Sequence, residues 1–364
     1  MTWLALADQK ERRFSLRGIG ADNADRRLYP DDPDFLMTRG SLLFETRLSP
    51  DGAPQVLLSF NRSWPEQRSL SFQAVPGGGV VLVQVHGGDI AHAALTHSVP
   101  ARTDVLRVTF AWDTLRGVAR LTVERPEEDQ ITTVDVPGVR PFLLQDLRDM
   151  LMGRGDCVFA GDMVFAALSD RLEEVGPVPG LDADAMVATP DGYRPVATLR
   201  RGVTVISRDG DVIPVLQTVS RQMPARGSFA PVRLRAPYFG LRDDVVTTPD
   251  QRLVIDGPEV EYLFGEEAVL VPARHLLNGF AARAQVTGPT RTYCQLILPG
   301  HEALMVAGTA MESLCIGRIR RYPERLRHTL LSGFERNMLP EHGRPSYRVL
   351  RWFEAIHLAR QRAA

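Results

Sequence analysis

Lysine is almost missing from this sequence. Of 43 basic residues only Lys10 is a lysine, and the rest are arginine. That excludes chemistry built on a buried lysine, including the phosphate-binding loop whose lysine must reach a phosphate. Cysteine is scarce as well: Cys157, Cys294 and Cys315 are too few for a disulfide framework or a four-thiolate zinc site. For each of them a buried, unreactive thiol is expected. Net charge is nearly absent, at -1, so there is no broad basic field for nucleic acid. No apolar run reaches the length of about 18 residues that a membrane span needs, and Met1 to Ala7 has neither the basic start nor the length of a signal peptide. The expectation is a cytoplasmic chain, or one exported without a cleavable N-terminal signal, with no membrane partner. At 364 residues, with 44% apolar and 24% charged, what remains is the composition of a folded protein of two domains.

The first half reads as short strands. Ser41 to Leu48 ends at the turn signal Ser49-Pro50-Asp51-Gly52, and Gln55 to Asn61 and Ser69 to Val75 follow. After Gly77-Gly78-Gly79, Val80 to His86 alternates, with Val81, Val83 and Val85 on one face. Leu106 to Trp112, Val118 to Glu124 and Val158 to Leu168 complete the set. Turns recurring about every ten residues predict an antiparallel β-sandwich.

Glu173 to Gly180 (EEVGPVPG) reads as a boundary. Strands resume at Met186 to Thr189, Val203 to Ser207, Ile213 to Val219, Val232 to Leu234, Val245 to Thr247, Leu253 to Ile255, Tyr293 to Leu298 and Ala303 to Val306. A helical turn is predicted at Pro272 to Asn278. In the tail, Val349, Leu350, Phe353 and Ile356 at helical spacing predict a helix over 347–362, with Ser346 as its N-cap and its apolar side chains packed on the second domain.

The commonest catalytic motifs are missing. No Gly-x-Ser-x-Gly elbow occurs, His301-Glu302 has Met305 where a zinc protease needs a second histidine, and Gly18-Ile19-Gly20 lacks a third glycine. His86, His92 and His97 lack carboxylate or thiol neighbours at ligand spacing and read as surface residues. Glu259 and Glu261 share a side if their segment is a strand, which suits a solvated edge better than a glycosidase pair. The arginines at 318, 320, 321, 325 and 327 read as a solvated surface. Neither metal nor cofactor is expected.

One ordered set of residues does carry a resemblance. Ala188-Thr189-Pro190-Asp191-Gly192-Tyr193-Arg194-Pro195-Val196-Ala197-Thr198-Leu199-Arg200-Arg201-Gly202-Val203 resembles the opening of bacterial Hedgehog/intein (Hint) domains. Thr248-Pro249-Asp250-Gln251-Arg252-Leu253 is similar to that family's Thr-x-x-His strand. Leu270 to Gly279, with His275, resembles the short helix that follows, and His301-Glu302 with Glu312-Ser313 resembles the closing block. The resemblance implies an all-β horseshoe over 180–317. It also implies a self-processing reaction, in which a first-residue thiol or hydroxyl attacks the preceding peptide bond while the motif histidine handles a proton. Here the nucleophile position is Gly180 and the histidine position is Gln251, so only Thr248 remains. Glutamine donates hydrogen bonds but exchanges no proton near neutral pH. Asp182 and Asp184 are the nearest side chains able to attack an acyl centre.

The first half resembles, more weakly, a concanavalin A-like or laminin G-like jelly roll, chiefly through Val108 to Val123 with Trp112-Asp113 and Gly117. Such modules bind sugars or proteins, and Trp64 beside Asn61 and Arg62 is a candidate sugar-stacking site.

The expected fold is mostly β: a lectin-like sandwich at 1–172, a linker at 173–179, a Hint-like domain at 180–317 and an extension at 318–364 with the helix. The expected function is a non-catalytic binding or structural protein whose partner is a glycan or a protein, with no catalytic residues. Two alternatives stay open: self-cleavage through an unrecognised nucleophile, and carbohydrate binding through the sandwich.

Overall fold

The structure, a computed structural model, describes residues 2–20, 29–47, 53–75, 78–96, 105–126, 130–285, 287–343 and 345–363. The expected turn at 49–52, Leu48, Gly77 and His97 lie outside the described residues. The chain is mostly β and divides into two compact units, Met1–Val175 with Gly288–Thr290, and Gly176–Thr287 with Arg291–Ala364.

The first unit is a β-sandwich. One sheet has seven strands in the order Gln130–Asp135, Val118–Arg125, Val105–Asp113, Arg39–Arg47, Met163–Ser169, Trp3–Ala7, Arg12–Phe14. The other has five, in the order Cys157–Phe159, Gln55–Arg62, Arg68–Val75, Gly79–His86, Asp89–Thr96. Alternation decides which side chains meet between them. Phe44 and Phe110 of the larger sheet close on Phe72 of the smaller, at ring separations of 5.1 and 5.9 Å. In the strand Gly79–His86, Val80, Leu82 and Gln84 face the core, while Val81, Val83 and Val85 share the partly exposed side. The run read as one strand, Val158 to Leu168, is two: Cys157–Phe159 and Met163–Ser169 belong to different sheets.

A helix the strand pattern did not reveal, Leu144–Met152, buries Leu147, Met150 and Leu151. Its Asp146 and Asp149 hold Arg68 and Arg62 at 2.8 and 3.1 Å.

The second unit has a six-stranded sheet in the order Gln217–Pro224, Thr290–Ile297, Leu181–Asp182, Val245–Thr247, Val232–Leu234, Ala282–Ala284. A seven-stranded sheet runs Gly192–Pro195, Met186–Thr189, Ala303–Val306, Thr309–Glu312, Arg252–Asp256, Ala268–Pro272, Arg348–Val349. Leu181, Val187, Leu253, Val271, Leu296 and Leu304 fill the core that both sheets line.

Two sequence expectations need correction here. Glu259-Val260-Glu261 lies in a helix, Pro258–Phe264, not a strand, because Gly257 breaks the chain and Pro258 takes the first helical turn. Two residues apart on a helix, the carboxylates point to different sides. The tail helix runs Trp352–Ala363, and its start is later than Tyr347 because Arg348 and Val349 pair in parallel with Val269 and Leu270. Ser346 caps nothing; its hydroxyl donates to the His301 carbonyl at 2.5 Å. Among the described residues no helix is long and apolar enough to cross a membrane.

Candidate functional site

Gly180, Thr248 and Gln251 meet at one point. Leu181 leads the chain between two strands, opposite Thr247 on one side and Cys294 on the other. The Thr248 amide donates to the Gly180 carbonyl at 2.8 Å. Thr248 to Gln251 is a β-turn closed by the Gln251 amide on the Thr248 carbonyl at 3.2 Å, with Pro249 at the position where its fixed φ is preferred. The turn is fastened from outside: the Arg274 amide donates to the Pro249 carbonyl, and the Arg274 side chain pairs with Asp250.

Inside the turn the space is occupied. A Cβ built on Gly180 would lie 2.0 Å from Oε1 of Gln251, 2.9 Å from its Cδ and 3.1 Å from its Cβ. The far end of a free glutamine could swing away, but this one is held. Its Nε2 donates to the Glu312 carbonyl at 3.0 Å, and its Oε1 accepts Nε2 of Gln295 at 2.7 Å. The same Gln295 amide reaches the Glu312 carbonyl at 3.1 Å. Both glutamines are buried, where a polar group that loses its partner bears the full desolvation cost.

The side chains nearest Gly180 are braced or buried. Asp182 is 8% exposed, pairs with Arg291 and accepts the Asp184 amide at 3.2 Å, so it braces the turn. Burial, with the nearby Asp182 charge, pushes the Cys294 thiol up to about 11, which removes its thiolate at neutral pH. Cys157 and Cys315 are half-buried.

The closing block folds as a hairpin. Ala303–Val306 pairs with Thr309–Glu312, which brings His301 and Glu302 beside Glu312 and Ser313. The Glu302 amide donates to Oγ of Ser313 at 3.1 Å. Nε2 of His301 lies 2.7 Å from Oε1 of Glu312 without the alignment of a hydrogen bond, and Arg252 reaches the same oxygen at 3.1 Å. His275 sits apart from these groups on the turn Ala273–Leu276. Its Nε2 accepts Nε of Arg274 at 3.2 Å, and burial plus the Arg274 charge lowers it to about 4.

Gln295 was not among the sequence candidates. Its signal is a single amide inside the apolar run Tyr293 to Leu298, a polar group that must find a buried partner. The other candidates separate. His86 lies 3.5 Å from Glu66, while His92 is exposed on the next strand. Asn61 bonds Asp156 at 3.0 Å and Arg62 is held by Asp149, which leaves Trp64 of that trio 82% exposed. Arg320 and Arg321 share Glu341, whose carboxyl they hold down at about 2. Among the described residues no cluster of histidine, cysteine and carboxylate could hold a metal ion.

Residues 179–318 match the family model of the Hint domain, so this segment carries a Hint scaffold. No curated protein sequence matches the chain. Among solved structures, a bacterial intein-like domain from Clostridium thermocellum is similar at 13% identity, covering 37% of this chain and 99% of that one, with a TM-score of 0.29. The MchDnaB-1 intein is similar at 13% identity, covering 36% and 98%, with a TM-score of 0.25. The Ruminococcus gnavus IT-sialidase CBM40 bound to α2,3-sialyllactose is similar at 15% identity, covering 36% and 76%, with a TM-score of 0.27.

Proposed function

We propose that this chain is a non-catalytic binding or structural protein that keeps a Hint domain as a scaffold with its self-cleaving site closed. One observation carries the reading: the place of the nucleophile's Cβ lies 2.0 Å from an amide oxygen that is itself held by a second buried amide. Self-cleavage needs a nucleophile at Gly180 and a proton carrier at Gln251. Glycine offers no attacking atom, and Gln251 spends its amide on the Glu312 carbonyl. The neighbouring Asp182 and Cys294 are braced and buried. In this reading residues 1–172 form a separate binding module, 173–179 the junction, 180–317 the scaffold and 318–364 an extension.

Purified full-length protein kept with excess thiol or hydroxylamine is expected to retain its intact mass. A fragment pair cut between Pro179 and Gly180, growing with thiol concentration, would overturn the reading.

A second reading rests on Trp64. An indole 82% exposed presents a flat face of the kind on which sugar rings stack. The full-length chain on a glycan array, beside Trp64→Ala, tests it. Binding lost in the variant supports a sugar site there, and an empty array removes it.

A further inference from the structure

Among the bonds that fasten the segment returning over the closing block, two are made by one buried imidazole. His342 is 2% exposed. Its Nδ1 accepts the Ile316 amide at 3.1 Å, and its Nε2 lies 3.0 Å from the Leu298 carbonyl. An amide only donates and a carbonyl only accepts. One ring nitrogen must therefore be bare and the other must carry hydrogen, which fixes the neutral Nε2–H tautomer.

We infer that His342 is a proton-operated latch. When Nδ1 takes a proton the Ile316 amide loses its acceptor, and the arch from Leu339 to Gly343 opens away from the turn at Leu298. The remaining ties of the segment carry no titrating group in the same range: the His342 amide on the Gly317 carbonyl at 2.9 Å, Arg320 on the Leu339 carbonyl, Arg320 and Arg321 on Glu341, Ser346 on the His301 carbonyl, and the pairing of Arg348 and Val349 with Val269 and Leu270. Opening therefore stays local to the arch.

The charges around the ring are few. His301 faces it from the turn, with ring centres 5.9 Å apart and planes inclined by 27°. Behind His301 stand the Glu312 carboxylate and Arg252, of opposite sign. On the arch itself Glu341 is turned toward Arg320 and Arg321. Burial pushes His342 below its ordinary value, against the opposing pull of the Leu298 carbonyl. In the open arch the ring regains the ordinary histidine range near about 6.5, so each pH unit below that favours opening by up to about tenfold, until the closed form protonates too. Glu312 links the latch to the closed Hint site, because its carbonyl holds Gln251 and Gln295 while its carboxylate faces His301.

Hydrogen exchange on the full chain, corrected for the intrinsic rate, tests the latch. Between about pH 7.5 and about pH 5, peptides covering 314–318 and 339–346 are expected to lose roughly tenfold or more of their protection beyond any loss shared with 186–189 and 252–256, while 108–112 of the first unit keeps its own. His342→Gln can donate and accept without titrating, and is expected to remove the pH response; His301→Gln is expected to keep it. Equal wild-type protection at both pH values overturns the latch. So does a response that survives in His342→Gln, or one that vanishes in His301→Gln.

Discussion

Glycine at 180 and glutamine at 251 act as a single feature, because each occupies the space the other leaves. Gly180 does not have a positive φ, so alanine there is free of backbone strain and tests the contact alone. Gly180→Ala is expected to cost about 1–3 kcal/mol in urea unfolding, since its methyl must push Gln251 off Gln295 and Glu312. In the Gly180→Ala/Gln251→Ala double variant the two costs should fall short of their sum, by about 0.5 kcal/mol or more. Additive costs would mean that the two positions do not share the space. Gly180→Cys meets the same obstruction, so the single variant is expected to be inert. Gly180→Cys/Gln251→His is expected to show weak thiol-dependent cleavage by intact mass, because nucleophile and proton carrier act as a unit. Cleavage by the single variant at the same rate would refute the part assigned to position 251. Position 251 was legible in the sequence through the Thr-x-x-His spacing, and position 180 through its place ahead of the strand Met186–Thr189. What the spacing could not convey is that the site is filled, because Gln295 comes from a strand 44 residues farther along the chain.

At the scale of elements, the places where the pattern misled are those where two periods overlap. Glu259-Val260-Glu261 alternates as a strand does, and only Gly257-Pro258 ahead of it announces a helix. The tail shows the opposite failure. A helix does form, yet its buried face is Ala355 and Leu358, with Leu350 buried just ahead of it, while Trp352, Phe353 and Ile356 are 57%, 49% and 39% exposed. The pairing of Arg348 and Val349 sets where the helix starts and so which face turns inward, and a long-range strand partner leaves no mark in the local sequence. The expectation that Phe353 and Ile356 pack on the second unit is therefore wrong, and Leu350 alone of those three is buried. Leu358→Ala is expected to lower stability by about 2–4 kcal/mol, as for other buried leucines. Phe353→Ser should stay within about 0.5 kcal/mol. Thermal melts of both variants check the assignment, and equal losses would contradict it. Short apolar runs bounded by turn signals, such as Met186–Thr189 and Val245–Thr247, were readable to the residue, because the punctuation on either side is unambiguous there.

For the whole molecule, two cores in one chain imply two unfolding events. Leu121 and Leu253 are fully buried in separate cores, so Leu121→Ala and Leu253→Ala identify the two transitions in calorimetry by lowering one each. Acid should act on the transition that Leu253→Ala marks. His275 and His342, both in the second unit, are held neutral by burial, the former at about 4. For His275 the folded value lies below the unfolded value of about 6.5, so between those two pH values the unfolded chain binds more protons. Stability is then full above about pH 6.5 and falls as pH drops toward about 4, below which both states are protonated and the loss levels off. The depressed carboxyls add to the fall only lower down: Glu341 starts from an ordinary 4.5 and reaches about 2, so the interval above 4.5 reports the histidines. The second transition is expected to move down in temperature from about pH 7 to about pH 5, and His275→Gln is expected to flatten that slope, because glutamine takes no proton in either state. A slope unchanged by His275→Gln would mean that its ring reaches water more freely than its half-buried place beside Arg274 implies.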